Sequence, residues 1–270
     1  MPRFEFRKDP INREWFVIAP QRSSRPNVAG GKEPLCPFCP GNEKNTPKEI
    51  LRIGKGRSRQ SGWEVRVVHN KFPFAPIHEL IIHSPGHTES FFTYRLEQIK
   101  KIFHVYRQRS QAHEGKGQIV IFHNHGRAGA ESLPHSHTQL AVVPPDVIVK
   151  TPTAGIEENV IRRTKHFIAF SPQASGWPGE VWIVPARRGR FFSTITDQEI
   201  ADLSKLVPWV LKKLEKVTEI DFPFNFYIFQ GSDWYLRIIP RLKVLGGFEL
   251  ATGLIVNSAD PAQLARKIKG

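Results

Sequence analysis

The chain has 270 residues, of which 40% are hydrophobic, with 19 Phe and 6 Trp; this composition excludes a disordered protein and suffices for one large domain or two ordinary ones. The apolar runs fall far short of the roughly 20 residues that span a bilayer, and the first ten residues are rich in charge, so we expect a cytoplasmic protein without a membrane anchor. The formal net charge of +14 suits phosphate-rich ligands or nucleic acid, but the basic residues are dispersed and do not decide between these ligands.

The first forty residues contain two candidate ligand-binding features. After a short apolar segment at 15–18, Arg22 and Arg25 stand in a Pro- and Ser-rich loop where two guanidinium groups could hold phosphates, although surface arginines would give the same pattern. Cys36 and Cys39 are the only cysteines, and their spacing suits two thiolate ligands of one tetrahedral zinc ion, or a redox pair. A zinc site would need two further ligands, for which the histidines are the available pool.

Two strands and a helix are predicted next. The strands lie at 65–68 and 79–83, where apolar residues run into turns. The helix is indicated by apolar residues that recur at spacings of three and four, namely Leu96, Ile99, Phe103 and Tyr106. His104 and His113 belong to this helix and its exit, and we interpret both as surface or packing residues.

The stretch from 117 to 145 carries the strongest chemical signal. An apolar strand at 119–122 leads into a Gly-containing turn at 124–132, and an extended segment then brings His135, His137 and Gln139. Residues two apart share a face of a strand, so these side chains point the same way, about 7 Å apart. One imidazole could be held by a metal or a hydrogen bond, the next could attack phosphorus, and the amide could stabilise a phosphoryl oxygen. Solvent-facing histidines on an edge strand are the alternative.

The second half repeats this order of elements. A strand at 180–185 precedes a capping-box sequence at 196–199, a long helix that contains Pro208, and strands at 224–229 and 235–240. Asp260 and Pro261 begin a last short helix. Strand, strand, helix, strand, strand thus occurs twice, which predicts an α+β duplication with mostly antiparallel sheets in which one copy has lost the histidines.

With these features assembled, the chain resembles the galactose-1-phosphate uridylyltransferase family of the histidine-triad superfamily. The motifs that carry the resemblance run along nearly the whole chain: Arg-Lys-Asp-Pro at 7–10, Cys-Pro-Phe-Cys at 36–39, Asn-Lys-Phe-Pro at 70–73, Ser-Pro-x-His at 84–87, His-x-His-x-Gln at 135–139, and Pro-Arg-Leu followed by Gly-Phe-Glu-Leu within 240–250. The resemblance implies a duplicated histidine-triad fold with two mostly antiparallel sheets and packed helices. A catalytic, zinc-bearing repeat would span 1–150 and a degenerate repeat 151–270.

The resemblance also implies a mechanism. One structural zinc per chain would be held by Cys36, Cys39, His87 and His135, with no organic cofactor. His137 would be the nucleophile, assisted by Gln139, in a UDP-glucose–hexose-1-phosphate uridylyltransferase that works by double displacement. The imidazole would take the nucleotidyl group from a nucleoside diphosphate sugar and pass it to a sugar 1-phosphate.

Further substrate contacts are implied residue by residue. The phosphates and the nucleoside would meet one set of residues in the same chain: Arg22, Arg25, Asn70, Phe72, Asn124 and Ser132. A second set would reach the sugar in the neighbouring subunit of a homodimer: Lys243, Gly246, Phe248 and Glu249. His69, His78, His83 and His166 are interpreted as packing or surface residues. His123 and His125 are interpreted in the same way, except that both border the phosphate loop, which keeps a role there open.

Some positions depart from the family pattern and keep other functions open. His-Ser-His replaces the usual His-Pro-His, Ile255 stands where galactose enzymes carry a glutamine, and Lys71 stands where many carry an acid. An adenylyl-transferring ADP-sugar phosphorylase with phosphate as acceptor is therefore the alternative, followed by a nucleotide hydrolase and by a non-catalytic, zinc-stabilised nucleic-acid-binding protein. Asp233 and Tyr235 occupy the histidine positions of an additional metal site in some members, so no second metal is expected.

Overall fold

The computed structural model describes residues 4–24, 35–155, 158–218 and 222–270. The elements in chain order are β1 (Glu5–Lys8), β2 (Trp15–Ile18), β3 (Glu49–Gly54), β4 (Trp63–His69), β5 (Ile77–Ile82), α1 (Leu96–Ala112), β6 (Gln118–His125), β7 (His137–Val143), β8 (Val160–Arg163), β9 (Phe167–Phe170), β10 (Val181–Pro185), α2 (Asp197–Thr218), β11 (Phe224–Phe229), β12 (Tyr235–Pro240), α3 (Gly247–Thr252) and α4 (Pro261–Lys269). Strands β1 and β2 form a small antiparallel sheet of their own.

The other ten strands form one sheet whose order is symmetric about its centre. The order is β3-β4-β5-β7-β6-β11-β12-β10-β9-β8, and the pairs are antiparallel. Each half therefore contributes five strands in the same relative order, with one long helix between its third and fourth strands. This order confirms the α+β fold with its duplicated arrangement of strands, and the repeat bounds at 1–150 and 151–270 stay a prediction.

The two sheets expected from the sequence are continuous in the structure. Strand β6 pairs with β11 from His125 opposite Phe224 to Val120 opposite Phe229, which joins the two five-stranded halves edge to edge. The pairing also holds β6 in extended form as far as His125, so Asn124 lies in the strand rather than in the turn predicted at 124–132. A polar turn signal was overridden here by a neighbouring strand that satisfies the backbone hydrogen bonds.

The helices α1 and α2 contact each other and belong to the main apolar core of the sheet. Residues predicted at core spacing in α1 are buried there, including Ile99, Phe103 and Tyr106. The capping box of α2 is confirmed, since the Thr196 amide donates to Glu199 Oε2 over 2.7 Å and the Glu199 amide donates to Thr196 Oγ1 over 3.2 Å. Among the described residues, no helix combines the length and the apolar character that crossing a bilayer requires.

Candidate active site and metal centre

Four side chains from separate parts of the first half converge beside β7. The donor atoms of Cys36, Cys39, His87 and His135 all lie within 4.8 Å of one another. His135 Nδ1 is 3.6 Å from each sulfur, and His87 Nδ1 is 3.2 Å from Cys39 Sγ. A tetrahedral zinc, with Zn–S of about 2.3 Å and Zn–N of about 2.0 Å, separates sulfur from nitrogen by roughly 3.5 Å. The cluster therefore has the donor set and the spacing to hold a metal ion.

The cysteine pair sits in a tight turn that is fastened to strand β4. The Asn42 amide donates to Cys39 O over 3.1 Å, and the Asn42 side chain donates to Cys36 O over 2.8 Å. The buried Glu43 carboxylate then accepts from Trp63 Nε1 on β4 over 2.9 Å and from the amide of Gly41 over 2.9 Å. These bonds fix both sulfurs on one side of the turn, as a metal site requires.

The protonation states around the cluster also suit a cation. The Nε2–H of His135 donates to Ser84 O over 2.8 Å, so the lone pair of Nδ1 faces the two sulfurs. Burial lowers the pKa of His135 to about 4 and raises the pKa of the Cys36 thiol to about 11. A neutral imidazole is ready to ligate, whereas the thiol must release its proton to the solvent when it binds a metal ion.

His137 lies two residues further along, at the start of β7 and against the metal cluster. It is buried, with its ring 5.2 Å from that of Phe38, which also contacts His135. Its Nδ1–H donates to the carbonyl of His135 over 2.9 Å, so in the neutral ring Nε2 is the nitrogen with the free lone pair of the tautomer. An imidazole held in this tautomer presents a nucleophilic nitrogen without any proton transfer.

A cavity of about 270 Å³ opens beside His137. Four of the residues predicted from the resemblance line it, namely Asn70, Phe72, Ser132 and Gln139, and Lys71 lines it as well. The remaining wall is mainly apolar and includes Phe38, Val68, Leu80 and Leu133. A cavity with an apolar wall and a few polar groups is typical of a site for a small organic ligand.

Arg22 supports the wall of this cavity. It lies in a short 3-10 helix, Pro20–Ser24, and its NH1 group donates to the carbonyl of Phe72 over 2.8 Å. Its guanidinium carbon also lies 5.0 Å from the centre of the Phe74 ring. Arg25, its predicted partner in holding phosphates, falls outside the described residues.

Asn124 is not among the described residues that line the cavity. Its Oδ1 accepts from Asn225 Nδ2 on the neighbouring strand β11 over 2.9 Å, and the same Asn225 amide donates to Gly129 O over 2.7 Å. Asn225 therefore links both Asn124 of β6 and the loop before His135 to the second half of the sheet.

The predicted C-terminal substrate residues lie apart from the cavity of their own chain. Gly246 is the N-cap of α3, its amide donates to Glu249 over 3.0 Å, and Lys243 lies 3.4 Å from the same carboxylate. Phe248 is 55% exposed, and Val244 and Leu250 nearby are exposed as well. None of these four is among the described residues that line the cavity, a position compatible with a role in a neighbouring subunit.

Strand β5 contributes a contact to Gln139 that the sequence analysis missed. His78, interpreted there as a packing or surface residue, is 3% exposed, and its Nε2 lies 3.0 Å from Gln139 Oε1. His78 and Leu80 are two residues apart on the strand that pairs with β7, so alternation places both on the face of Gln139. The contact could have been predicted only from the pairing of β5 with β7, which the sequence alone does not give.

The opposite face of β7 carries a buried polar network. His83 lies 3.0 Å from Ser136 Oγ and 2.7 Å from Thr138 Oγ1, and its ring stacks at 5.4 Å on that of His123. His123 Nδ1–H donates to the carbonyl of His137 over 2.9 Å. Burial lowers the pKa of His123 to about 3 and holds that of His83 well below its usual range. Two neutral histidines thus support the strand from behind.

The duplicated sheet, the Cys₂His₂ cluster and the adjacent histidine of β7 define a protein like the galactose-1-phosphate uridylyltransferases of the histidine-triad superfamily. Comparison with known proteins confirms this resemblance. The chain is 27% identical to ADP-glucose phosphorylase of Arabidopsis thaliana, over 98% of this chain and 92% of that protein. It is 23% identical to galactose-1-phosphate uridylyltransferase of Thermotoga maritima, over 98% of each.

Solved structures give the same result for the fold. The structure of Arabidopsis thaliana ADP-glucose phosphorylase with bound ADP-glucose matches with a TM-score of 0.76 and 26% identity over 98% of each chain. A uridylyltransferase structure matches with a TM-score of 0.80 and 22% identity, over 98% of this chain and 97% of that one. No protein-family model matches the chain.

Proposed function

We propose that the protein is a nucleotidylyltransferase that works through a nucleotidyl-histidine on His137. The observation that carries the proposal is the bond from His137 Nδ1–H to the His135 carbonyl, which makes Nε2 the nucleophilic nitrogen of the neutral ring, and this ring lines the cavity. In the first step Nε2 attacks the α-phosphorus of a nucleoside diphosphate sugar, a P–N bond forms, and sugar 1-phosphate leaves with the electron pair of the broken P–O bond. In the second step an acceptor phosphate oxygen attacks the same phosphorus, and the P–N bond breaks.

Neighbouring residues stabilise the charge of the transferred group in this proposal. The amide of Gln139 and the hydroxyl of Ser132 donate to phosphoryl oxygens, and Asn70 and Phe72 contact the nucleoside. Such fixed donors in a largely apolar cavity favour the transition state because they need little reorganisation when charge develops. Arg22 acts with them by positive charge and by holding the Phe72 carbonyl.

We assign the metal as one structural Zn²⁺ per chain on Cys36, Cys39, His87 and His135. Four protein donors fill a tetrahedral shell, so the ion would stabilise the fold rather than activate water. A metal ion there would also fix the cysteine turn, whose Phe38 packs against both His135 and His137. Thiols kept for metal binding also agree with the reducing, cytoplasmic compartment expected from the sequence.

The preferred reaction is uridylyl transfer between UDP-glucose and a hexose 1-phosphate, as in the relatives named galactose-1-phosphate uridylyltransferase. The second candidate is an ADP-sugar phosphorylase that passes an adenylyl group to inorganic phosphate. The relative from Arabidopsis thaliana named ADP-glucose phosphorylase favours this candidate. Ile255, which stands in place of a hexose-binding glutamine of the galactose enzymes, favours it as well.

A homodimer belongs to the proposal. The segment that contains Lys243, Gly246, Phe248 and Glu249 leaves several apolar side chains exposed, such as Val244 at 85% and Leu250 at 73%. A second copy of the chain would cover this surface and receive the four residues near its own sugar site.

The test is intact-mass spectrometry after incubation with UDP-glucose or ADP-glucose separately, without acceptor and at neutral or basic pH, because phosphoramidates of histidine are acid-labile. The expected result is a mass gain of one nucleoside monophosphate, absent in His137→Gly. A UMP adduct supports the uridylyltransferase and an AMP adduct the phosphorylase. If neither sugar nucleotide labels a folded, metal-loaded protein, the nucleotidyl-histidine mechanism is wrong.

A further inference from the structure

We propose that His78 is a positioning residue that sets the orientation of the Gln139 amide, an inference that rests on the proposed function. The backbone amide of Phe74 donates to His78 Nδ1 over 3.3 Å, so the ring proton is on Nε2. The Nε2–H then donates to Gln139 Oε1 over 3.0 Å. With its oxygen occupied, Gln139 turns its NH₂ group towards the cavity, where a phosphoryl oxygen needs a donor.

The ring of His78 is held on several sides, as this role requires. It packs at 4.2 Å, centre to centre, on the ring of Phe74, and it is almost completely buried. The backbone of Asn70 donates to the carbonyl of His78 over 2.8 Å. These contacts hold the ring in place, while the Phe74 amide keeps the ring proton on Nε2, so that Gln139 meets a donor.

One contact of His78 would favour a proton on Nδ1 instead of Nε2, and a neighbouring hydrogen bond decides between the two tautomers. Asn70 Nδ2 lies 3.1 Å from His78 Nε2, a distance that would suit a hydrogen bond to an unprotonated nitrogen. The Phe74 amide hydrogen requires an unprotonated Nδ1 and therefore a proton on Nε2, and in this tautomer the Asn70 amide cannot donate to Nε2. Asn70 Oδ1 meanwhile accepts from the Phe72 amide over 2.8 Å. His78 therefore lies between the residue that contacts phosphate and the residues that contact the nucleoside.

The second half of the sheet keeps the same pair of positions with different chemistry. Leu80 lies opposite Gln139, and Trp182 lies opposite Arg237, so Arg237 corresponds to Gln139. Two residues before Trp182 stands Glu180, which corresponds to His78 and binds Arg237 Nε at 2.6 Å. In both halves, this position of the third strand holds a side chain of the adjacent strand.

The test compares His78→Phe with His78→Gln. Phenylalanine keeps the ring packing and loses both nitrogens, whereas the glutamine amide can donate from the position of Nε2. With the sugar nucleotide that labels the wild type, UDP-glucose or ADP-glucose, we expect His78→Phe to slow the formation of the His137 adduct at saturation by about 10- to 100-fold. Its half-saturating concentration should change by less than about threefold, and His78→Gln should recover most of the rate.

A double variant separates positioning from packing. In the background of Gln139→Ala, His78→Phe should cause no further loss of rate, since the group that it orients is gone. His166→Phe, at a distant turn of the second half, is the control and should label at the wild-type rate. If the losses of rate of the two single variants multiply in the double variant, His78 only packs. A destabilised His78→Phe that labels at the normal rate at saturation would lead to the same conclusion.

A measurement on the unaltered protein keeps the inference testable if the variants fold poorly. Nitrogen-15 NMR of labelled histidines should show His78 protonated at Nε2, and a signal of the Nδ1–H tautomer would overturn the inference. Failure of the wild type to form an adduct would instead overturn the proposed function, and this inference with it. An adduct that forms equally well in folded His78→Phe would overturn the inference alone.

Discussion

The two halves of the sheet share one strand order but use the face beside β7 and β12 differently. In the first half this face carries His135 and His137 next to the cavity. In the second half the corresponding positions are Asp233 and Tyr235. Asp233 pairs with Arg188 Nε at 2.8 Å, and the Tyr235 hydroxyl donates to Pro152 O over 2.6 Å.

The same comparison extends to the rest of the face. Around Tyr235 the second half packs aromatic side chains, with the Trp182 ring 4.5 Å away and Phe170 in the same cluster. Arg237 is bound by the buried Glu180 carboxylate. The first half presents polar side chains to the cavity, whereas the polar side chains at the corresponding positions of the second half bond within that half. A symmetric fold can therefore hold one site, with the second copy serving as support.

The largest expected contrast is between the two corresponding β-strand positions. His137→Gly should lower nucleotidyl transfer by at least about 10³-fold, because the nucleophile is removed while the fold stays in place. Tyr235→Phe removes a hydroxyl that bonds only within the second half, so it should leave the rate unchanged and cost about 1 kcal/mol of stability. Steady-state assays with UDP-glucose and ADP-glucose check both, and substantial turnover in His137→Gly would refute the assignment.

The metal cluster gives the next contrast. Cys36→Ser should abolish stoichiometric zinc and lower the free energy of unfolding by several kcal/mol, since four donors then become three. Asp233→Asn, which weakens the corresponding Arg188 pair, should keep the zinc content at the wild-type value. Metal analysis together with thermal melting measures both effects. Equal zinc content and melting temperature in Cys36→Ser and wild type would show that the cluster does not hold the metal.

A buried charge of the second half should matter for stability alone. Glu180→Gln removes the anion that faces the largely buried Arg237 guanidinium, and we expect a loss of about 3 kcal/mol in chemical denaturation. The rate of adduct formation should stay within about twofold of the wild type. A large loss of rate in a folded variant would mean that the second half takes part in the chemistry.

Acid sensitivity should belong to the first half, which contains ten of the 11 histidines. The pKa of His123 falls from 6.5 to about 3 on folding, so the unfolded chain binds more protons between these values. The contribution of such a histidine to the free energy of unfolding is therefore fully present above pH 6.5. It is lost as the pH falls towards 3, by up to about 1.4 kcal/mol per pH unit for each such histidine. Urea denaturation from pH 7 to 4.5 should show a shallower decrease in His123→Phe. An unchanged slope would assign the effect to other groups.

Much of this organisation was predictable from periodicity and motifs. The long helices, the strands that flank them and the shared face of His135 and His137 follow from local patterns of apolar residues. The Cys-x-x-Cys spacing predicted two ligands of a metal site. His87 was predicted as a further ligand only from the resemblance, because its loop is distant in sequence. The structure then brought the four donors together.

What local patterns could not give is the pairing of distant strands. The β6–β11 junction decided that Asn124 faces Asn225, and the β5–β7 register decided that His78 contacts Gln139. Both contacts depend on register, and a shift of one residue would reverse the faces of all side chains in a strand. The local pattern of one strand does not predict which strand pairs with it or in which register.

The junction of β6 with β11 has a consequence for how such a chain avoids association through its sheet edges. A single five-stranded unit would end at β6 with a row of unsatisfied backbone donors and acceptors, a surface that invites aggregation or association with another copy. Tandem joining supplies that partner covalently, at an effective concentration that no dilution can lower. The second unit therefore protects this edge whatever chemistry its own side chains carry.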